Sequence, residues 1–341
     1  MSHTVRIRQW PAPITVETGA TILDSAVDAG VPYPFGCQSG NCGACKSHLI
    51  SGEVELSPYS DFALTDEEKA SGLILACRAV PWSDCEVAWL EADEIVVHPR
   101  RILDCSVAAI DDATHDIKRV QLTVNGGGPF TFSAGQYSAV SFAGQPPRDY
   151  SMANMPDDKI LEFHIRRLPG GATSQYVSSA VKIGDKVKVE GPLGTSYLRD
   201  LHAGPIIAVA GGSGLAPIKS IVDTALAKGL KQHIYLYFGV RAERDLYLED
   251  HFNALAAKHA NFHFHAVLSE PEAGSKRRSG FVHEAVRSDF DEVDGCKAYL
   301  AGPPVMVEAA TKMFEARGMK RADIHADAFY TAAEIAQNAK K

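Results

Sequence analysis

Four of the seven cysteines in this chain have a spacing that could bring four thiolates around one small metal centre. Cys37, Cys42 and Cys45 follow the pattern C-x4-C-x2-C, and Cys77 stands apart as a fourth. A tight loop can supply three thiolates from consecutive turns, whereas the fourth must come from elsewhere in the fold. This is the ligand spacing of a plant-type [2Fe–2S] cluster. The sequence therefore predicts these four cysteines as metal ligands.

Three glycines alternate with the first three of these cysteines, at Gly36, Gly40 and Gly43. Glycine permits a positive φ and lets backbone N–H groups approach cluster sulfurs where a Cβ would obstruct them. A zinc site is one alternative, but structural zinc usually shows two short Cys or Cys/His pairs, and only Cys42 and Cys45 form such a pair. A disulfide framework is a second alternative, but nothing marks the chain as secreted. The spacing favours the cluster.

A second set of candidate residues combines an arginine, an aromatic ring and several hydroxyls. Arg148–Ser151 reads R-D-Y-S, and residues 171–174 read G-A-T-S before a short helical pattern. An arginine offers fork-shaped donors to a phosphate, an aromatic offers a face to a planar ring, and a hydroxyl offers a hydrogen bond to a ring nitrogen. A flavin dinucleotide requires these groups. Taken alone, Ser174 is predicted to cap the helix that contains Tyr176 and Val177, and such a helix N-terminus is also a ready anion site.

A glycine-rich turn supplies the third candidate site. The apolar run at 206–210 predicts a buried strand, and it is followed by G-G-S-G-L-A-P at 211–217 and a helical pattern. Strand, turn and helix in this order let the backbone approach a pyrophosphate at the helix N-terminus. The motif departs from the Rossmann G-x-G-x-x-G because Pro217 replaces the third glycine.

Composition and charge limit the classes of function. With 341 residues, 45% hydrophobic and 22% charged, the chain has room for two or three globular domains. It shows no signal-peptide pattern and no apolar run of membrane-spanning length, so we expect a cytoplasmic protein without a membrane partner. Residues 1–97 carry 14 acidic against 5 basic side chains, a net charge of −9. Such a segment can be a solvated surface, or it can steer a basic partner. No basic stripe indicates nucleic-acid binding, and we expect a monomer.

Local patterning predicts three domains and a multidomain fold class that combines α+β, β and α/β parts. Residues 1–93 open with two short strands and a helix for which Thr21 is the predicted N-cap. Residues 100–202 read as short strands between Gly, Pro and Asp signals, which favours a small antiparallel barrel. Residues 203–331 alternate apolar strands with helical patterns, which indicates a doubly wound parallel sheet. The connecting segment 91–101 is too short to be a long flexible tether.

The order of these modules resembles the iron–sulfur flavoprotein reductases of the ferredoxin–NADP reductase superfamily. Within it, the chain is similar to the reductase components of Rieske-type aromatic ring-hydroxylating oxygenases. The resemblance covers residues 5–330 and implies a β-grasp ferredoxin domain, a six-stranded antiparallel FAD-binding barrel and an NAD-binding domain. Besides the motifs above, it is carried by E-I-V at 94–96, T-H-D-I at 114–117, F-H-I-R at 163–166, G-P-L-G-T at 191–195, F-G-V-R at 238–241, G-P-P at 302–304 and D-A-F at 327–329.

The resemblance also assigns residues to both nucleotides. It implies that Arg148 binds the FAD pyrophosphate, that Tyr150 lies against the isoalloxazine, and that Ser151 positions the flavin through a hydrogen bond to N5. Phe329 corresponds to the C-terminal aromatic near the flavin face. The other residues implied to hold FAD are His164, Ile165, Arg166, Gly171, Thr173 and Ser174. The residues implied to hold the nicotinamide cofactor are Gly212, Ser213, Gly214, Pro217, Arg241, Glu243, Gly302, Pro303 and Met306.

Two features depart from the family pattern, and a separate set of charged residues bears on the choice between NADH and NADPH. Many relatives have a cysteine before the Gly-Pro turn, where this chain has Ala301. Eleven residues, 331–341, follow the terminal aromatic pair, so this segment is not expected to cover the flavin in the usual way. Glu243 could accept ribose hydrogen bonds and repel a 2′-phosphate, which favours NADH, whereas Arg241 and Arg244 favour NADPH.

The implied cofactors together form an electron-transfer chain. A nicotinamide gives up two electrons as hydride, a cluster accepts one at a time, and a flavin can take two and release them singly. We therefore expect an NADH-dependent reductase that supplies a Rieske-type oxygenase, directly or through a ferredoxin, in aromatic hydrocarbon catabolism. Alternatives are the same chemistry serving a di-iron phenol, toluene or methane monooxygenase, or deoxysugar synthesis. A redox-sensing binding protein without turnover is a non-enzyme alternative.

Overall fold

The computed structural model describes residues 2–90, 94, 96–331 and 334. The chain forms two compact units, one from residues 1–97 together with 327–341 and the other from residues 98–326. Some of the predicted features lie partly outside these described residues, namely the connecting segment 91–101, the E-I-V motif at 94–96 and the tail 331–341. Within the described part of the chain, no helix combines the length and apolar character needed to cross a membrane.

The first unit contains a five-stranded mixed sheet and a small two-stranded ladder. Its elements are β1 (Ser2–Ile7), β2 (Ile14–Glu17), α1 (Ile22–Asp28), β3 (Lys46–Ser51), β4 (Val54–Leu56), α2 (Asp66–Ala70), β5 (Leu73–Leu75), β6 (Ala79–Pro81) and β7 (Cys85–Trp89). The sheet order is β2-β1-β7-β3-β5, and β1 and β7 run parallel. Thr21 caps α1 as predicted, because its hydroxyl accepts the N–H of Asp24 at 3.1 Å. The predicted β-grasp is confirmed.

The second unit begins with a six-stranded antiparallel sheet. Its elements are β8 (Arg101–Asp112), β9 (Ile117–Gly126), β10 (Tyr137–Phe142), β11 (Arg148–Ser151), β12 (Ile160–Arg166), α3 (Ala172–Ser179) and β13 (Lys186–Leu193). The strand order is β11-β10-β13-β8-β9-β12, and a bridge between Met152 and Phe163 joins the two edges. Alternate side chains such as Leu103, Val120 and Phe163 are fully buried inside. The sheet is the predicted barrel, nearly closed.

The chain continues with a mostly parallel sheet between helices. Its elements are β14 (Ile206–Gly211), α4 (Leu215–Ala227), β15 (Ile234–Val240), α5 (Glu249–Lys258), β16 (Phe262–Leu268), β17 (Arg278–Ser279), α6 (Val282–Asp289), β18 (Lys297–Gly302), α7 (Pro304–Ala316) and β19 (Ile324–Ala328). The order is β17-β16-β15-β14-β18-β19. Every residue of β14 and β18 is buried, as expected for strands covered on both faces. The predicted doubly wound sheet is confirmed.

One local prediction, the role of Ser174 as a helix N-cap, is wrong. The N-cap of α3 is Gly171, and Ser174 lies within the first turn. Its hydroxyl donates to the carbonyl of Gly171 and accepts the N–H of Leu168, each at 3.1 Å. The hydroxyl therefore binds the preceding loop to the first turn instead of capping the helix, and α3 begins at Ala172, three residues earlier than a cap at Ser174 would allow.

Candidate redox and nucleotide sites

The fold brings the four predicted cluster ligands together. Cys37, Cys42 and Cys45 lie on the loop between α1 and β3, and Cys77 lies on the turn between β5 and β6. Cys37 is partly exposed, and the other three are buried. The thiols of Cys37 and Cys42 share a hydrogen bond, and so do those of Cys45 and Cys77. Side chains that are distant in the sequence thus share one small volume.

Backbone donors in this loop favour the ionised form of a cysteine. The N–H groups of Ser39 and Asn41 point at the sulfur of Cys37 from 3.5 and 3.3 Å, and the N–H of Cys37 points at the sulfur of Cys42 from 3.3 Å. The hydrogen bond from the Cys42 thiol, helped by donors from Ser39 and Asn41, lowers the pKa of Cys37 to about 5 despite its burial. The thiolate is the form that binds metals.

The glycines leave space beside these sulfurs. A Cβ on Gly36 would lie 3.1 Å from the sulfur of Cys42, and one on Gly43 would lie 2.9 Å from the carbonyl oxygen of Ala63. Gly43 also has a φ of +74°, which an L side chain rarely adopts. Four converging thiols, backbone N–H donors and a loop without obstructing Cβ atoms fit a [2Fe–2S] cluster.

One contact to this loop was missing from the sequence predictions. The hydroxyl of Tyr330 donates to the carbonyl of Asn41 at 3.0 Å, within the first unit. The hydroxyl of Ser60 lies 3.4 Å from the same oxygen. Phe329, the predicted flavin aromatic, precedes Tyr330 and belongs to this unit as well. The partners Tyr330 and Asn41 are 289 residues apart, so no local pattern could reveal their contact.

The predicted flavin residues occupy β11 and the first turn of α3. Arg148 is exposed, Tyr150 is half-buried and Ser151 is buried. Burial raises the pKa of Tyr150 to about 12, so its hydroxyl is neutral at physiological pH. Thr173 donates to the carbonyl of Pro146, just before β11, at 3.0 Å. The two predicted segments are therefore neighbours, although they are separated in sequence.

Strand β12 contributes the other predicted flavin residues. The side chain of Ile165 packs into the barrel core, so only its backbone can face a ligand. Arg166 donates to the carboxylate of Asp116 at 2.8 Å. Burial acts to raise the pKa of Asp116, but the hydrogen bond and charge of Arg166 outweigh it and hold that pKa below its ordinary value. The carboxylate of Asp116 is therefore ionised at neutral pH.

A buried hydrogen-bond chain joins β12 to the glycine turn. Nε2 of His164 lies 3.1 Å from a carboxylate oxygen of Glu162, and Nδ1 lies 3.0 Å from the hydroxyl of Tyr247. That hydroxyl also lies 3.4 Å from the carbonyl of Gly212. Burial raises the pKa of Glu162, but the hydrogen bond with His164 prevails and brings it to about 2. Burial lowers the pKa of His164, so the ring is neutral. Nε2–H then donates to the carboxylate, and Nδ1 accepts the Tyr247 proton.

A cavity of about 510 Å³ opens at the carboxyl ends of β14, β15 and β16, within the second unit. This is the edge of an open α/β sheet where ligands bind, and the volume is in the range of small-molecule sites. The predicted residues that line it are Arg166, Gly212, Arg241, Pro303 and Met306. The lining also contains Asp116 and Asp245, which sequence reasoning did not select. The predicted residues Ser213, Gly214, Pro217, Glu243 and Gly302 are not in the lining.

Three of those remaining residues support the turn. Gly212–Gly214 form one turn of 3-10 helix before α4, and Pro217 lies in the first turn of α4, where a missing N–H costs nothing. A Cβ on Gly214 would lie 2.1 Å from the carbonyl oxygen of Ala301, at the end of β18. The predicted glycine therefore permits close packing of turn and strand.

The carboxylate of Glu243 has partners of its own. It accepts the hydroxyl of Ser275 at 3.1 Å and pairs with Arg277 at 3.3 Å. Arg277 also binds the carboxylate of Glu249. These hydrogen bonds and carboxylates raise the pKa of Arg277, with the Glu249 bond first among them. Arg277, on the segment between β16 and β17, thus has its charge offset by two carboxylates, one of them from Glu243 in the loop after β15.

Comparison with known proteins assigns a family to each module. A 2Fe-2S iron-sulfur cluster binding domain matches residues 7–81. An oxidoreductase FAD-binding domain matches residues 104–213, and an oxidoreductase NAD-binding domain matches residues 208–312. The three matches follow the order of the cluster loop, the barrel and the parallel sheet.

Relatives cover the chain almost completely. The reductase component of the naphthalene 1,2-dioxygenase/salicylate 5-hydroxylase systems of Ralstonia sp is 44% identical over 93% of this chain and 95% of its own. That of the naphthalene 1,2-dioxygenase system of Pseudomonas putida is 41% identical over the same shares. The chain belongs to this family of reductase components. It is an iron–sulfur flavoprotein oxidoreductase that takes electrons from NAD(P)H.

Solved structures agree with this family membership. The crystal structure of an Amycolatopsis cytochrome P450 reductase superposes on the reductase with a TM-score of 0.80, at 38% identity, covering 97% of this chain and 99% of that one. A ferredoxin reductase in carbazole 1,9a-dioxygenase superposes with a TM-score of 0.71, at 29% identity and the same coverage. Both solved structures thus cover all three modules of this chain.

Proposed function

We propose that this reductase passes electrons from NADH to an aromatic ring-hydroxylating dioxygenase system, either to its oxygenase or to a ferredoxin that precedes it. The observation that carries this proposal is the 44% and 41% identity to reductase components named for naphthalene 1,2-dioxygenase systems. Relatives named for phenol 2-monooxygenase and propane 2-monooxygenase are 37% and 34% identical. An aromatic dioxygenase is therefore the better supported terminal partner.

The proposed flavin site uses β11, β12 and α3. When bound, FAD accepts the two electrons of a hydride and releases them singly. Arg148 would bind the pyrophosphate, the neutral ring of Tyr150 would pack against the isoalloxazine, and Ser151 would position a ring nitrogen. Phe329 would contribute a second aromatic surface. The remaining proposed contacts are His164, Ile165, Arg166, Gly171, Thr173 and Ser174.

The proposed nicotinamide site is the cavity at the sheet edge. Gly212, Arg241, Pro303 and Met306 would contact the dinucleotide, while Ser213, Gly214, Pro217 and Gly302 would shape the turns around it. The partners of Arg277 support a preference for NADH. Glu243 and Glu249 already offset the positive charge of Arg277, which would otherwise be available to bind the 2′-phosphate of NADPH. Replacement of Glu243 by Gln should therefore reduce the ratio of kcat/KM for NADH to that for NADPH.

The proposed cluster ligands are Cys37, Cys42, Cys45 and Cys77. The seven cysteines, all within the described residues, form no disulfide, which supports a cytoplasmic location where thiols stay reduced. We further propose a monomer with domain boundaries at 1–93, 100–202 and 203–331. The barrel and the parallel sheet would be separate domains within the second compact unit.

Cofactor analysis and reconstitution test these proposals. The purified protein should contain about two irons and one FAD per chain, since a [2Fe–2S] cluster has two irons. Zinc in place of iron, or no flavin, would contradict the cofactor assignment. The reductase should then support product formation when mixed with NADH, the naphthalene dioxygenase ferredoxin and oxygenase, and naphthalene. Support of a phenol hydroxylase but not of this system would overturn the terminal partner alone.

A further inference from the structure

Trp82 is an exposed tryptophan directly after β6, in the unit that carries the cluster loop. Its relative exposure is 66%. Its backbone N–H donates to the carbonyl of Glu53 at 2.8 Å, and its indole N–H donates to the carboxylate of Glu55 at 3.0 Å. Because the bond to Glu55 holds the indole in one orientation, less rotamer entropy would be lost on contact with another protein. Tryptophans of this kind are common anchors of protein interfaces.

Three acidic residues lie close to this tryptophan, across the ladder or two positions along the chain. Glu53, Glu55 and Asp84 are all exposed, and the first two are bonded to Trp82. Asp84 follows two residues later in the chain, and its carboxylate accepts the N–H of Thr4 at 2.7 Å. An exposed indole bonded to one carboxylate, with two further exposed acidic residues close by in the ladder and in the chain, matches a partner that presents basic side chains around an apolar recess.

The two-stranded ladder of β4 and β6 connects Trp82 with the turn that carries Cys77. Strand β6 pairs with β4, and the N–H of Ser57 donates to the carbonyl of Arg78 at 2.9 Å, which extends the pairing toward Cys77. Trp82 is five positions after Cys77 in the chain, so even a fully extended chain places their Cα atoms at most about 17 Å apart. A protein bound over Trp82 therefore lies close to the fourth predicted ligand.

We propose that Trp82, Glu53, Glu55 and Asp84 form the docking surface for the protein that accepts electrons from this reductase. The acceptor is a protein with a basic surface around an apolar recess into which the indole packs. This inference rests on the proposed function, because it specifies where that electron transfer takes place. It does not depend on which oxygenase is the terminal partner.

The test uses the holoenzyme and cytochrome c, a basic haem protein that accepts one electron. At low ionic strength, Trp82→Ala should raise the KM for cytochrome c at least fivefold, and Trp82→Phe should restore part of the loss. Glu55→Gln, which can still accept the indole N–H, should weaken the salt dependence. Leu201→Ala is the matched control, since Leu201 is 84% exposed but belongs to the other unit. That variant should leave the KM unchanged.

NADH oxidation with ferricyanide and the iron content separate docking from damage. Both should match the wild type in Trp82→Ala. A KM for cytochrome c within twofold of the wild type would overturn the docking surface, and so would an equal loss of ferricyanide reduction. If the wild-type holoenzyme reduces neither acceptor, the proposed function fails, which is a different result from failure of this surface.

Discussion

The hydroxyl of Tyr247 connects the strand that carries His164 to the turn that carries Gly212. Replacing Tyr247 with Phe removes the donor to Nδ1 of His164 and leaves a buried ring nitrogen unsatisfied, at a cost of about 1–3 kcal/mol. The carbonyl of Gly212 also loses the hydroxyl that lies 3.4 Å from its oxygen. We expect the melting temperature to fall and the KM for NADH to rise several-fold, while kcat with ferricyanide changes less. Steady-state kinetics and thermal melts measure both effects.

Tyr237→Phe is the matched control for that experiment. The hydroxyl of Tyr237 donates to Asp289 at 2.7 Å, and neither residue lines the cavity. This variant should also lose stability, but the KM for NADH should stay near the wild-type value. Equal changes of KM in the two variants would show general destabilisation and would contradict a positioning role for Tyr247.

The lowered pKa of Glu162 predicts how the stability of the folded protein depends on pH. Its pKa in the folded protein is about 2, below the ordinary value of 4.5, so its stabilising effect is complete above pH 4.5 and is lost as the pH falls toward 2. His164 acts in the same direction, because burial lowers its pKa and folding therefore opposes its protonation below about pH 6.5. The difference in melting temperature between the wild type and Glu162→Gln should thus be large near pH 7 and shrink toward pH 3. A constant difference would contradict this linkage.

At the scale of elements, the contact of the glycine turn with β18 depends on one missing Cβ. Gly214 has a φ of −61°, so an alanine there suits the backbone but lacks space against the carbonyl of Ala301. Gly214→Ala should displace the turn and lower NADH turnover at least tenfold, with the iron content unchanged. Gly126→Ala is the control, because its nearest foreign atom would be 3.8 Å away. Normal turnover in Gly214→Ala would exclude this packing as a requirement of the site.

Elements whose signals are local were predictable from the sequence, and contacts between distant residues were not. The cysteine spacing and the strand, turn and helix at 206–217 each lie within a short stretch, so their patterns are readable without a fold. Ser174 was misassigned because its hydroxyl bonds to Leu168, a loop residue whose position depends on the fold. Tyr247 and Tyr330 gave no signal, since their partners lie 83 and 289 residues away. Topology alone brings such pairs together.

At the scale of the whole molecule, the two compact units allow cluster and flavin chemistry to be separated. Cys77→Ala should remove the cluster while leaving the second unit folded, so NADH-to-ferricyanide activity should survive and reduction of protein acceptors should collapse. Cys85→Ala is the matched control, a buried cysteine of the same unit outside the predicted ligand set. It should keep the iron. Iron analysis, the ferricyanide assay and the protein-acceptor assay test this separation. Parallel loss of the two activities in Cys77→Ala would show that the units are not independent.

The charge of the first unit predicts how partner reduction depends on salt. Residues 1–97 have a net charge of −9, whereas the rest of the chain has 28 acidic and 29 basic side chains. Exposed acids such as Asp61, Asp66 and Glu67 contribute to this charge in addition to the proposed docking surface. A charge of this size attracts a basic protein over distances comparable with the Debye length, which is about 10 Å at 0.1 M salt and about 3 Å at 1 M.

Electron transfer to the cognate oxygenase or ferredoxin should therefore slow markedly between these salt concentrations, because added ions screen the attraction that speeds encounter. Reduction of the flavin by NADH should change less, since the cavity at the sheet edge belongs to the unit whose charges nearly balance. Ferricyanide is itself an anion and cannot serve as the acceptor in this comparison. Stopped-flow measurements of both steps across the salt series distinguish steering from a merely solvated surface. A partner rate that stays flat or rises with salt would rule out electrostatic steering by the first unit.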